Sequence, residues 1–510
     1  MGIKISGKFS DKLAGQLIKA VDDGQKLEIN DPEEVGQYVF TVLAGACGLV
    51  PGIGTGLSAF VSLMCGFLVQ PNSIDKIWAK LRDRIEALVD AKITAAQMEI
   101  LKQKIRGLQD NMENYRRILK NYEEESAEEK KKARNTLKTT HIAFLNLTRA
   151  AIPGFRIETY AVVSLPLFAL AANIHLALLV DGIKYGKDWG YSVENIETLR
   201  AEFDHKTAPK IGIPPVKHIA SEQSHLLKEA IATATDLDIP TKIVDTWKTA
   251  YADLVATTSG STGDEGNYDE LDYVTYVNRI YQKGRGQVKI QDPPVTDREN
   301  PGAGDAAKLR AYADYDSGMI MNVLNYAEFW PYLAEGKIPE SVLKTLDREI
   351  FFGPFGRYTT YATWSDTIGP SITDRGPPIS SVYVRGYNDI DGLKIKYGKN
   401  WGPEFGSMND GEAQQLDLAE DEYFYFISVW YGQKLGGVKF WNNKDKGLVS
   451  GKSMNGSHYG RAAPPGYRLT SAYITKWERS TPPGCEGLIL GFRPSMIEWK
   501  PDDKSREKDA

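Results

Sequence analysis

The chain has 510 residues, with 62 Lys and Arg against 67 Asp and Glu and a formal charge of −5; 42% of it is hydrophobic, 25% charged and 10% aromatic. That profile argues against a disordered chain, a basic nucleic-acid binder and a polytopic membrane protein. At about 100–200 residues per domain it allows two to four domains. Cys47, Cys65 and Cys485 are too few for a disulfide scaffold and always leave one over. The opening MGIKISGKFSDKLAG is polar and holds no apolar h-region, so no conventional secretory signal is expected.

Glu34 is followed by no charged side chain until Asp75. Two apolar arms, YVFTVLAGACGLV and TGLSAFVSLMCGFLV, flank Pro51–Gly54. Each makes roughly 20 Å of helix at 1.5 Å per residue, short of the about 20 residues that span a bilayer. A buried helical hairpin fits better. Gly52, Gly54 and Gly56 lack the following GK[ST] of a phosphate loop and read as a helix break. From Ile74 to Tyr122, apolar positions such as Trp78, Leu81, Ile85 and Leu88 recur at spacings of three and four. They predict one long amphipathic helix or a broken pair. The charged run Glu123–Lys132 reads as a solvated turn.

The next helix, about Ala133–Ala151, is read with Leu137, Ile142, Leu145 and Leu147 on a moderately apolar face. Thr136, Thr139, Thr140, His141, Asn146 and Thr148 make the other face mostly uncharged and rich in hydroxyls. Ile152-Pro153-Gly154-Phe155 ends it, since Pro lacks the amide donor and Gly supplies the turn. Thr159–Val180 then runs for 22 residues without a permanently charged side chain. As helix it is about 33 Å long, near the ~30 Å hydrocarbon thickness of a bilayer. A helix apolar all round is either the centre of a bundle or inserted in lipid. Its Pro166, Asn173 and His175 are exceptions; a lone histidine there reads first as a hydrogen-bonded core residue and second as a protonation-sensitive position. A polar helix joined by a short turn to an apolar one can leave a soluble bundle as a hairpin, because each helix satisfies its own backbone bonds. Composition alone still favours plain core burial.

Three segments resemble one family. Tyr160 through Ala172-Asn173-Ile174-His175-Leu176 to Asp181, then Tyr185-Gly186 and Trp189-Gly190, resembles the central-helix block of the delta-endotoxin (Cry) pore-forming domain. Asn322-Val323-Leu324, Phe329-Trp330-Pro331 and Asp347-Arg348-Glu349-Ile350-Phe351 resemble that domain's last helix and exit strand. Ile77–Ile85 is similar to the start of its long third helix, especially in PirB-type two-domain insecticidal toxins. The resemblance implies a seven-helix bundle around a central hydrophobic helix, with about Ala133–Ala151 as insertion partner and pore lining. The insertion residues it implies are Leu137, Ile142 and Leu145, the turn's Pro153 and Gly154, and Tyr160, Pro166, Phe168, Asn173, His175, Leu176 and Asp181. Val180 stands where the family usually has Arg, so any ion pair with Asp181 must be built otherwise. About 201–270 is extra helical sequence, and Thr257–Asn267 and Asp292–Gly304 read as loops and candidate protease sites.

Past Gly353, aromatic residues, glycine and alternation replace the helical period. Val382/Val384 precede Gly392-Leu393-Lys394-Ile395, Ile427/Val429 precede Gly437-Val438-Lys439-Phe440, and Ala472/Ile474 precede Gly487-Leu488-Ile489-Leu490. The glycines recur about every 45–50 residues. Three Greek-key units of that length make a β-prism, which resembles jacalin-type lectins and the second domain of the delta-endotoxins. Candidate receptor- or glycan-binding residues are Trp401, Trp430, Tyr431, Trp441, His458, Tyr459 and Trp477, with Gly406 and Asp410 from a G-x-x-x-D loop.

The expected plan is multidomain α + β: a helical domain over 1–355 and a β-prism over 356–510. The expected activity is a pore-forming, insecticidal-type toxin with no cofactor. Its expected partners are a target-cell membrane, a surface receptor or glycan, and further copies of itself. It is soluble when made, and released non-conventionally or stored as inclusions. A lectin with a purely structural bundle, or one component of a binary toxin, are the alternatives. With no HExxH, CxxC or G-x-S-x-G, no catalytic constellation stands out.

Overall fold

In the computed structural model, residues 73–208, 271–289 and 303–339 are described, together with 342–498 apart from short interruptions; before residue 73 only 4–5, Val39 and Leu43 are. The apolar arms around Pro51, most of the extra segment 201–270 and its loop, and nearly all of the loop at 292–304 lie outside the described residues.

Seven helices of fourteen residues or more lie among the described residues: α1 (Ser73–Leu88), α2 (Ala95–Glu124), α3 (Ala127–Ala151), α4 (Ala161–Tyr185), α5 (Val193–Thr207), α6 (Tyr273–Gly286) and α7 (Ala303–Met319). The stretch from Ile74 to Tyr122 is thus a broken pair. Thr94 starts α2 with a capping box, its hydroxyl accepting from the Gln97 amide while Gln97 accepts from the Thr94 amide. The α2 face that packs inward, Met98, Leu101, Ile105, Leu108, Met112, Tyr115 and Leu119, keeps the three–four spacing throughout.

The charged run at 123–132 differs from the expected turn. Ser126 and Glu129 form a second capping box, so α3 begins at Ala127 and the lysines ride on its first turns. The buried stripe of α3 is Leu137, His141, Phe144, Leu145, Thr148 and Ala151, and Ile142 and Leu147 point outward. At roughly 100° per residue these two fall on either side of that stripe, which corrects the face assignment of Ile142, Leu147, His141 and Thr148. A short 3-10 turn (Ile152–Phe155) reverses the chain, and a second (Glu158–Tyr160) leads into α4. α4 is buried along its length, from Ala161 to Gly182, and is ringed by the other helices. It runs past Asp181 to Tyr185, further than the uncharged stretch suggests.

The β part has strands β1 (Ile350–Gly356), β2 (Ala362–Ile368), β3 (Ile379–Gly386), β4 (Ile390–Tyr397), β5 (Asn400–Trp401), β6 (Phe405–Gly406), β7 (Glu412–Asp417), β8 (Phe424–Tyr431), β9 (Leu435–Asn442), β10 (Gly447–Ser450), β11 (Ser457–Ala462), β12 (Tyr467–Trp477) and β13 (Cys485–Pro494). They form three antiparallel sheets in the orders β7-β3-β4-β5, β11-β8-β9-β10 and β2-β12-β13-β1, with β6 also on β4. Each is a Greek key, the fourth strand lying beside the first. The repeat positions face one another in all three hairpins: Val382 and Val384 oppose Ile395 and Leu393, Ile427 and Val429 oppose Phe440 and Val438, and Ala472 and Ile474 oppose Leu490 and Leu488. The third key is completed by strands that precede the repeats. β1 and β2 come from 350–368 and sit beside β13 and β12.

Bundle and prism meet through buried charge. Arg493 Nη1 donates to the Asp347 carbonyl at 2.7 Å and lies 3.6 Å from its carboxylate, and Nη2 is 3.8 Å from Glu349. Glu349 accepts from Thr470 at 2.6 Å and Ser471 at 2.7 Å, and Arg348 donates to Asn325 at 2.6 Å.

Candidate functional site: a buried hairpin and an aromatic prism

Ser164, Asn173, His175 and Asp181 of α4 each reach a different neighbour, which offsets part of the cost of so complete a burial, while Asn173 Nδ2 and Asp181 Oδ1 have no partner among the described residues. Asn173 accepts from Trp330 Nε1 at 2.6 Å. His175 meets the Tyr273 hydroxyl of α6 through Nδ1 at 2.6 Å and Glu202 of α5 through Nε2 at 3.3 Å. Asp181 accepts from the Tyr115 hydroxyl of α2 at 3.1 Å, the partner it has in place of a neighbouring arginine. On α3, His141 reaches the Leu178 carbonyl at 2.8 Å and the Tyr191 hydroxyl at 2.7 Å. The Ser164 hydroxyl donates to the Phe155 carbonyl at 2.8 Å, two positions before Pro166, which itself has no amide to offer. Phe168 lies edge-on to Tyr273 and Tyr276, and Leu176 is fully buried. His175 is thus a hydrogen-bonded core histidine.

Two clamps tie the hairpin to the rest of the bundle. Glu202 accepts from Arg149 Nε at 2.9 Å and pairs with a second nitrogen of the same guanidinium, so one carboxylate joins α3, α4 and α5. Burial pushes the Glu202 carboxyl up, but hydrogen bonds and charge from His175 and Arg149 outweigh it and bring it from 4.5 down to about 2. The stability this pairing contributes is therefore fully present above about pH 4.5 and disappears as pH falls towards 2. In thermal unfolding, the gap between wild type and Glu202→Gln is expected to close over that window; a gap that is constant with pH would contradict the pairing.

The second clamp is Arg156, immediately after the turn. Its guanidinium lies 4.8 Å from the Phe168 ring, 5.1 Å from Tyr273 and 4.5 Å from Tyr276, and donates to the Leu271 carbonyl. Pro153 is exposed at the turn, and a side chain at Gly154 would run into Lys104. Tyr160 donates to the Gly154 carbonyl at 3.3 Å and closes the turn on itself. Glu202, Arg149, Arg156, Tyr115 and Tyr273 were not legible as partners, because their meeting depends on helix packing across long sequence separations. The capping boxes Thr94–Gln97 and Ser126–Glu129, by contrast, carry a local sequence signal.

On the prism the aromatic candidates fall into separate groups. Trp401, 38% exposed, lies edge-on to Tyr383 with Lys394 5.1 Å and Lys396 5.9 Å from its ring. On the second sheet Trp430 stacks on His458 at 4.4 Å, Lys439 lies 5.0 Å from the indole, and His458 Nε2 is 2.8 Å from Ser428 Oγ. Trp441 covers Gly447, where an added Cβ would meet the indole at 2.6 Å. Tyr431 turns to the bundle, against Phe355 at 5.6 Å and Arg310 at 5.7 Å. Tyr459 and Trp477 lie in β11 and β12. Gly406 takes φ +71°, and a Cβ there would strike the Asp391 carbonyl, so the loop to Asp410 requires glycine. That loop is tied by a Ser407–Asp410 side-chain hydrogen bond and by Arg385 Nε to the Asp410 carbonyl at 2.8 Å.

An α-helical bundle closed around one apolar helix and joined to a three-sheet prism defines the class. Residues 42–210 match the delta endotoxin N-terminal domain family, and residues 352–464 match the jacalin-like lectin domain family. The chain thus carries, in order, a stretch similar to the delta-endotoxin N-terminal domain and one similar to the jacalin-like domain. It is 32% identical over 134 residues to the pesticidal crystal protein Cry1Ja of Bacillus thuringiensis, which is 25% of this chain and 11% of that one. It is 30% identical over 148 residues to Cry7Aa of the same organism, 29% of this chain and 13% of that one. The matched stretch is thus a small part of these curated relatives. Among solved structures, the fold is shared with a Cry1Da tryptic core variant of Bacillus thuringiensis at TM-score 0.53 and 14% identity, over 92% of this chain and 74% of that one. It is shared equally with PirB at TM-score 0.51 and 13% identity, over 92% and 97%.

Proposed function

We propose that the chain is a non-enzymatic, pore-forming toxin of insecticidal type. It binds a target-cell surface through the prism, assembles with further copies and inserts the α3–α4 hairpin. The observation that carries this reading is α4 itself, long and apolar enough to cross a membrane yet wholly buried within a delta-endotoxin-type bundle. In lipid its apolar surface would face acyl chains, and copies of α3 would present the exposed, uncharged positions Thr136, Thr139 and Asn146 to water. The Gly406–Asp410 loop and the exposed groups around Trp401 and Trp430 are the proposed receptor or glycan contacts.

Complete burial of α4 also suits a second reading, a lectin whose bundle is only structural. Dye release from liposomes or target-gut vesicles separates the two. The pore reading expects release by the purified chain, whereas a lectin binds glycans and releases nothing. Release that requires an added second protein would support the third reading, one half of a binary toxin.

A further inference from the structure

At the end of the bundle opposite the hairpin turn, a cleft of about 490 Å³ opens between the end of α2, the start of α3 and the residues after α4. At about 30 Å³ per water this is room for a small polar ligand, not just a solvent molecule. Its wall carries Lys130, Lys131 and Arg134 from α3, and Tyr122, Tyr185 and Trp189. Lys130 and Arg134 are four residues apart and share one face of α3. Tyr185 and Trp189 stack at 6.0 Å, and Tyr122 donates to the Asp188 carbonyl at 3.5 Å. Glu123 and Asp188 add carboxylates beside the apolar Leu119 and Ala127, so the cleft holds cations, carboxylates and ring faces together.

We infer that this cleft binds the zwitterionic headgroup of a phospholipid, a phosphate diester that carries an ammonium group. The inference rests on the insertion reading above. The phosphate matches Lys130, Lys131 and the fork of Arg134. The ammonium matches the rings and the two carboxylates, as cationic headgroups are bound over aromatic faces. One half of this chemistry is already made within the protein, because Lys130 Nζ lies 5.7 Å over the Tyr122 ring. The position also fits. α3 and α4 diverge from the turn at Ile152–Phe155 and have their other ends at the cleft. A hairpin that enters lipid turn-first therefore leaves the cleft among the headgroups, where Tyr and Trp rings and Lys side chains settle.

The test is sedimentation of the full chain with phosphatidylcholine vesicles, with dye release recorded in parallel. Lys130→Ala/Arg134→Ala and Tyr122→Leu/Tyr185→Leu are each expected to weaken sedimentation about tenfold. Lys130→Arg/Arg134→Lys should restore most of it, and circular dichroism should show each variant folded. Soluble glycerophosphocholine should compete, inorganic phosphate less and choline less again. Competition by glycerophosphocholine without binding to vesicles would make the site one for a soluble or glycan-borne phosphocholine and overturn the lipid assignment. Equal sedimentation of all variants, or equal binding to phosphatidylglycerol vesicles, would overturn the site itself. A wild type that sediments but releases no dye would instead count against the pore reading and leave the headgroup comparison intact.

Discussion

A disulfide between α4 and α5, made as Gly182→Cys/Leu199→Cys, is expected to abolish dye release until it is reduced. A Cβ built on Gly182 would meet Leu199 Cδ1, so the shorter cysteine at 199 makes room for a side chain at 182 that points at it. α5 is outside the hairpin, and the bridge would hold the apolar helix in place without touching the prism. The physical stake is large. From Val162 to Val180, α4 buries eleven Val, Leu, Ile and Phe side chains. At about 1.5–3 kcal/mol each, their exposure to water would cost roughly 20 kcal/mol or more. α4 can therefore leave the bundle only where another apolar phase receives it. Oxidised protein that releases dye as fast as the reduced form would show that this hairpin is not what enters the membrane.

The second large effect is expected at the junction. Arg493 and its two carboxylates, Asp347 and Glu349, are each only 3% exposed. Arg493→Met removes the shared cation and leaves two buried acids facing an apolar side chain. The expected loss is about 3–5 kcal/mol, because an uncompensated buried charge costs far more than the intact pair contributes. Asp347→Asn/Glu349→Gln made in the Arg493→Met background should recover part of it. Urea unfolding followed by tryptophan fluorescence reads both. A loss under about 1 kcal/mol for Arg493→Met would mean that water reaches these groups and the junction is not dry.

These two sites differ in how far the sequence foretold them. The apolar run at 159–180 and the glycine-spaced repeats were legible, since period and composition are local properties, and both became the elements they suggested. The hydroxyl-rich character of α3 is legible too, but its faces are not: Leu137 and Leu145 pack inward, whereas Ile142 faces out and His141 faces in. Hydropathy ranks isoleucine above histidine, yet geometry decides the stripe, and a hydrogen-bonded histidine costs little to bury. The exit segment Asp347–Glu349 was recognisable by resemblance, but its partner Arg493 was not, because the pairing crosses almost the whole prism. Likewise Trp401 and Trp430 stand out in the sequence only as aromatic residues. Only the fold shows that they stand on different sheets.

The way the third sheet closes has a consequence for how the molecule is made. β1 is the first strand of the prism after the bundle, yet its sheet partner, β13, is the last long strand among the described residues, and Arg493 lies on that same strand. Domains tend to fold from the N-terminus as synthesis proceeds, but here the seam must wait for β13, a connection of high sequence separation and slow closure. A product that stops short of Cys485 would lack β1's neighbour and the cation that neutralises the junction at one stroke. β13 thus brings two things to the seam together, the strand beside β1 and the cation beside Asp347 and Glu349.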